Sequence, residues 1–267
     1  MADSKIVLVT GANTGIGFHI VRALYSADKP YTIILGARSL SNAENAINTI
    51  KAEFPASKNT ITPLLIDLES DSSIESASNA LTTQFTHLDA LINNAGAQFD
   101  AEAVKGNLTQ REMWNKSWNV NTTGTHILTT TLTPLLLKST DPRLVFVTSG
   151  GSTLAGSVSR TIGLDNPPAA GWPKVGFGIG VPAYRSAKTG MNMMMREWAR
   201  MLENDGVKVW AVSPGLLATG LGGDPELLKK IGAGDPVVVG PLFRGVLEGE
   251  RDGEVGRVVS RAGVQDW

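Results

Sequence analysis

The chain has no cysteine, which rules out disulfides, thiolate nucleophiles and cysteine metal sites. Histidine is nearly as scarce. His19, His87 and His126 stand far apart, in no metal-ligand spacing, so no metal site is expected. Charge is sparse and balanced: 18% of residues are charged and the net charge is −1. Neither nucleic acid nor an anionic membrane surface is therefore expected as a partner. No apolar run reaches the roughly 18 residues of a membrane helix. The short polar N-terminus runs straight into Ile6–Val9, without the basic region and long apolar segment of a secretory signal. The expectation is a soluble, cytoplasmic protein.

What is present suits one large α/β domain. Hydrophobic residues make up 42% of 267, enough for a sizeable core. Short apolar runs alternate with helical patterns. Strands are predicted at Ile6–Thr10, Thr32–Leu35, Ile61–Ile66, Leu88–Ile92, Leu144–Thr148, Val207–Val212 and Val255–Ser260. Pro63 has no N–H to donate, so the third strand is expected at a sheet edge. Ile16, Ile20, Val21 and Leu24 share one face of a first helix. Further helical patterns cover Ala43–Phe54, Ile74–Phe85, Thr109–Leu137 and Ala183–Glu203. This alternation predicts a Rossmann-type, doubly wound parallel sheet of about seven strands flanked by helices. Residues 152–181, rich in glycine and proline and without periodicity, read as an insert or lid. Residues 220–240 read as a substrate loop.

Between the first strand and first helix lies Thr10-Gly11-Ala12-Asn13-Thr14-Gly15-Ile16-Gly17. Glycines there permit a tight turn and close approach to a pyrophosphate, which then meets the helix N-terminus. The spacing is Thr-Gly-x-x-x-Gly-x-Gly. Further along come Asp67-Leu68, Asn93-Asn94-Ala95-Gly96, Asn121, Ser149, Tyr184-Arg-Ser-Ala-Lys188 and Pro214-Gly215-x-Leu217-x-Thr219. In that order, across about residues 5 to 220, these motifs resemble the short-chain dehydrogenase/reductase family.

The resemblance implies a hydride-transferring oxidoreductase acting on a ketone, aldehyde or secondary alcohol. Tyr184 would be the general acid/base, Ser149 would bond the substrate carbonyl, and Lys188 would bind the nicotinamide ribose. Asn121 would stabilise a helix kink and hold a water leading to Lys188. Cofactor contacts would come from Gly11, Asn13, Thr14, Gly15, Ile16 and Gly17, from Asp67 and Leu68, and from Asn94, Ala95 and Gly96. Pro214, Gly215, Leu217 and Thr219 would hold the carboxamide. Physically, a lysine one helical turn from a phenol lies on the same face. Its charge favours tyrosinate and would lower the phenol's pKa. Tyr25-Ser-Ala-Asp-Lys29 carries the same spacing, but at the far end of the first helix, and reads as a decoy. Ser152 competes with Ser149, which is preferred because it directly ends the fifth strand.

The second strand ends at Ala37, followed by Arg38 and Ser39. An acid at the strand end would favour NAD, whereas a guanidinium grips a 2′-phosphate; NADP(H) is therefore expected. Ser149 and Tyr184 are separated by more residues than is usual in the family, which places the insert between them. Trp172, Phe177, Leu221 and Phe99 suggest a fairly apolar small-molecule carbonyl substrate. Asp165 orients a polar substrate group or caps a turn beside Asn166-Pro167, with the turn favoured. Met191, Met193, Met194, Met195 and Trp198 exceed one narrow core stripe. They leave the sheet, the insert or a second subunit open as packing partners, and with them the choice of monomer or homo-oligomer. A redox-neutral or enoyl-reducing enzyme, or a non-catalytic NADP-binding regulator, would be alternatives. The intact Ser149-Tyr184-Lys188 set argues against both.

Overall fold

A computed structural model describes residues 4–174 and 180–267. One sheet of eight strands runs through it, in the order β3-β2-β1-β4-β5-β6-β7-β8. The strands are β1 (Lys5–Val9), β2 (Tyr31–Ala37), β3 (Thr60–Leu65), β4 (Ala90–Asn93), β5 (Arg143–Val147), β6 (Lys208–Val212), β7 (Val258–Ser260) and β8 (Gly263–Gln265). Strands β1 to β7 pair in parallel, and β8 returns antiparallel on β7. The expected Rossmann-like class holds, with an eighth strand added. Strand β8 escaped the sequence pattern because Gly-Val-Gln carries a single apolar residue. Pro63 lies in β3, which among the described residues pairs with β2 alone and so forms the edge its missing N–H requires.

The helices are α1 (Gly15–Tyr25), α2 (Leu40–Glu53), α3 (Asp71–Gln84), α4 (Asp100–Val104), α5 (Gln110–Trp118), α6 (Thr125–Leu136), α7 (Leu154–Val158), α8 (Pro182–Met201), α9 (Pro225–Lys230) and α10 (Val239–Glu248). They cover both faces, giving two apolar clusters. Ile20, Val21 and Leu24 of α1 join Phe243, Val246 and Leu247 of α10 on one side. Leu128 and Leu132 of α6 join Met191, Met195 and Trp198 of α8 on the other. This accounts for three of the large residues on α8; Met194 packs partly against the same cluster, and Met193 points outward at 60% exposure. Helix α10 was not anticipated, although its apolar residues recur at helical spacing. Among the described residues no helix is long and apolar enough to cross a membrane.

The predicted helix over Thr109–Leu137 exists, but with a π-helical turn at Asn119–Gly124 between α5 and α6. Gly124 allows it to sit against the chain after β3, since a Cβ there would overlap the Leu68 carbonyl. Gly124→Ala is expected to lower stability by about 1–3 kcal/mol, read as a lower thermal midpoint; an unchanged midpoint would refute the close approach.

Candidate active site

The strand order reverses between β1 and β4, and the glycine turn sits at the C-terminal end of β1, in the crevice such a reversal opens. Thr10 is fully buried. Its hydroxyl accepts hydrogen bonds from the N–H groups of Asn94 (3.1 Å) and Ala95 (3.0 Å). The Asn94 amide donates back to the carbonyls of Thr10 (2.8 Å) and Gly11 (3.1 Å). The loop after β4 thus supports the turn from below. Gly11 and Gly15 take φ of 59° and 55°, which other residues adopt only under strain. Gly17 is buried beside Asn94. Asn13 and Ile16 are half-buried and Thr14 is exposed. Thr14 stands at the N-cap of α1 without a side-chain cap bond, so its side chain claims none of the helix's first N–H groups. Thr219, on the loop after β6, comes alongside Gly15.

Tyr184 and Lys188 lie one turn apart near the start of α8. Tyr184 is half-buried. The Lys188 ammonium is buried, donates to the Val147 carbonyl at 2.9 Å, and lies 5.9 Å from the centre of the Tyr184 ring. Ser149 follows β5 and its hydroxyl accepts from the N–H of Gly151 at 3.1 Å. Asn121 lies in the π-helical turn, fully buried. Its amide donates to the carbonyls of Ser117 and Ala97, both at 2.8 Å, and accepts from the N–H of Ala97 at 3.2 Å. The helix there is π-helical rather than α-helical, and the π turn brings the Asn121 amide and the Lys188 ammonium together over Gly96. The fold therefore gathers Ser149, Tyr184, Lys188 and Asn121 around the ends of β4 and β5.

The short chain dehydrogenase family matches residues 5–160 and 175–226. This chain belongs to that family of oxidoreductases. Short-chain dehydrogenase/reductase eupG of a Phoma species is 43% identical over 272 residues, covering 98% of this chain and 97% of the relative. Short-chain dehydrogenase/reductase tropE of Talaromyces stipitatus is 39% identical over 270 residues, with the same coverage. The NADPH-bound carbonyl reductase from chicken fatty liver shares the fold, at TM-score 0.78 and 20% identity over 99% of both chains.

One electrostatic expectation for this short-chain dehydrogenase/reductase is corrected. Lys188 was expected to lower the Tyr184 pKa. Burial instead pushes the phenol up to about 12, with a Ser149 hydrogen bond opposing it. Burial also pulls Lys188 down to about 7, which weakens the charge it brings near neutral pH. The competing candidates resolve by position. Tyr25 is core, and Lys29, beyond the end of α1, pairs with Glu248 at 2.9 Å. Ser152 is buried in a structural chain: Thr148 donates to Asn192 (2.7 Å), Asn192 to Ser152 (3.0 Å), and Ser152 to the Ser149 carbonyl (2.6 Å). Asn192 was missed because nothing in the sequence separates it from a solvated helix asparagine.

The residues expected to contact a cofactor lie at the same strand ends. Arg38 follows β2 at 71% side-chain exposure, 3.8 Å from Glu69. Ser39 caps α2, its hydroxyl accepting from Asn42 at 3.4 Å. Asp67 accepts from the N–H of Glu69 at 3.0 Å, and Leu68 is buried. Pro214 and Leu217 are buried, Gly215 is exposed, and Leu217 bridges Gly234. In the 152–181 segment, Asp165 caps the Ile162 N–H at 3.1 Å and pairs with Arg185 at 2.5 Å, the turn-capping arrangement favoured from the sequence. Arg185 also donates to the Gly151 carbonyl at 2.7 Å, tying that segment to the turn after Ser149. Trp172 stands in solvent at 86% exposure rather than packing on the cleft. Leu221 is partly exposed and Phe99 half-buried, with Lys116 over its ring. Phe177 lies outside the described residues.

Proposed function

We propose that this enzyme reduces a ketone or aldehyde to its alcohol, with NADP(H) as hydride carrier and Tyr184 as proton donor. The observation that carries the reading is the half-buried Tyr184 beside Ser149, with Lys188 5.9 Å from its ring centre.

The residues present fit a dinucleotide. The turn at the strand-order reversal has two glycines at positive φ and no side-chain cap on α1, which suits a pyrophosphate. Gly11, Asn13, Thr14, Gly15, Ile16 and Gly17 would hold it, with Asp67 and Leu68 at the adenine. Asn94, Ala95 and Gly96 would border the ribose. Lys188 would bind its hydroxyls, and Pro214, Gly215, Leu217 and Thr219 the carboxamide. Nicotinamide, when bound, supplies the hydride. The Ser149 hydroxyl donates to the substrate carbonyl oxygen and orients it. Tyr184 gives its proton to that same oxygen as the alcohol forms. A phenol held near 12 keeps its proton through neutral pH, the form a proton donor needs.

Arg38 supports NADP(H) over NAD(H). It is exposed at the end of β2, and among the described residues its close acid is Glu69 at 3.8 Å, a pairing too long and wet to hold it firmly. Ser39 already uses its hydroxyl as a helix cap, so the guanidinium is the main phosphate ligand. Arg38→Asp is expected to weaken NADPH about 10- to 100-fold, the worth of a charge-assisted pair, and to change NADH little. Equal losses for both would overturn the preference. The activity itself is tested by loss of NADPH or NADH absorbance across a panel of ketones and aldehydes. Cofactor binding without turnover across that panel would overturn the reading.

A further inference from the structure

Helix α8 carries the proposed acid, yet its own sequence does not cap it. The N-cap is Val181, which has no side-chain acceptor, and Pro182 follows without an N–H. The first two free donors of the helix are therefore the N–H groups of Ala183 and Tyr184. Both are taken by one distant side chain. Asp100 accepts from Ala183 at 2.9 Å through one carboxylate oxygen and from Tyr184 at 3.2 Å through the other. It is 2% exposed and lies 84 positions from Tyr184 in the chain. A carboxylate so deeply buried is retained only where its acceptors are satisfied, and here the helix start satisfies both. Its negative charge also meets the positive end of the α8 dipole.

Asp100 is itself held. It opens α4, three residues after Ala97, whose N–H and C=O are both bonded to Asn121. One short loop after β4 thus connects Asn121, the Gly96 surface under Lys188, and the backbone of Tyr184.

We propose that Asp100 is a positioning residue for the proton transfer: it caps α8 from outside and sets the height and rotation of Tyr184 over Ser149. This rests on Tyr184 being the acid, as proposed above. A small displacement of the phenol is costly to the rate, since about 1 Å of misplacement lowers turnover on the order of 100-fold. It should cost turnover more than cofactor affinity, because the Thr10 and Gly11 contacts of the glycine turn are made by Asn94 and Ala95, several residues before Asp100.

The test uses the full chain with NADPH and 4-nitrobenzaldehyde, together with amide hydrogen exchange in the peptide spanning Ala183 and Tyr184. Asp100→Ala is expected to lower kcat about 10-fold or more, with a smaller change in NADPH affinity and faster exchange at those amides. Asp100→Asn keeps one acceptor oxygen and should fall between, and it carries the same test should the alanine variant not fold. A kcat within about twofold of the parent, or unchanged exchange, would overturn the proposal. So would a fall in kcat fully explained by loss of folded protein. Tyr184→Phe separates the two ideas. If it is inactive while Asp100→Ala keeps full kcat, only the role of Asp100 fails; if it stays active, the acid assignment fails and this inference with it.

Discussion

Tyr184→Phe is expected to reduce carbonyl turnover by about 100- to 10,000-fold, the usual contribution of a general acid, with cofactor binding unchanged. The ring and its packing are kept and only the hydroxyl is removed, so the comparison isolates the proton. Lys188→Met should also lose activity, yet gain stability. Burial pulls Lys188 down to about 7 from the ordinary lysine value. Between that point and the ordinary value the unfolded chain holds a proton that the folded chain has released. Stability contributed at this site therefore rises as pH rises through that window and is weakest below it. Removing the amine should raise the thermal midpoint most at pH 6 to 7, on the order of the gains that stability–activity trade-offs show. Tyr184→Phe with unchanged kcat, or Lys188→Met with a lower midpoint at neutral pH, would refute this account.

Arg143→Ala is expected to destabilise the fold by about 3–5 kcal/mol while leaving kcat per folded molecule unchanged. Arg143 starts β5 at 3% exposure, at the end of the sheet opposite the glycine turn. It donates to Asp252 at 2.6 Å, to Asp141 at 3.0 Å and to the Val246 carbonyl at 2.6 Å. Lys5 and Lys208, at the starts of β1 and β6, complete the cluster on the same two acids. Removing the guanidinium leaves a cavity, an unpaired carbonyl and two acids with less compensation. The cluster also fixes the acid response. Burial by itself would raise Asp141, but hydrogen bonds from Arg143, Lys5 and Lys208 outweigh it and hold the carboxyl far below its usual range. The Arg143 hydrogen bond, with Lys208, lowers Asp252 as well. Depressed carboxyls stabilise above their unfolded pKa and lose that contribution as pH falls below it. The parent should therefore weaken below about pH 4, and Arg143→Ala should show a shallower acid dependence. A denaturant midpoint within error of the parent would sink this prediction.

The parallel α/β class and the edge position of β3 were legible in the sequence, which also put Tyr184 ahead of Tyr25 as the candidate. These are local signals: strand–helix alternation, a proline without an N–H, and a motif judged by the strand it follows. Ser149 could be preferred over Ser152 for the same reason. Helix α10 carried a local apolar spacing that was overlooked, whereas strand β8 and the π turn at Asn121 depended on partners distant in the chain. A three-residue strand is stable only against β7, and a π turn only where Gly124 meets Leu68. The electrostatics also needed the fold. One helical turn places Lys188 near Tyr184, but how deeply both are buried, and so which way each pKa moves, is set by packing. Tertiary structure alone decided that α8, which begins Val181-Pro182 without a cap of its own, receives one from Asp100. That contact joins segments no sequence pattern relates, because a buried carboxylate and two free N–H groups become partners only when the fold brings them together.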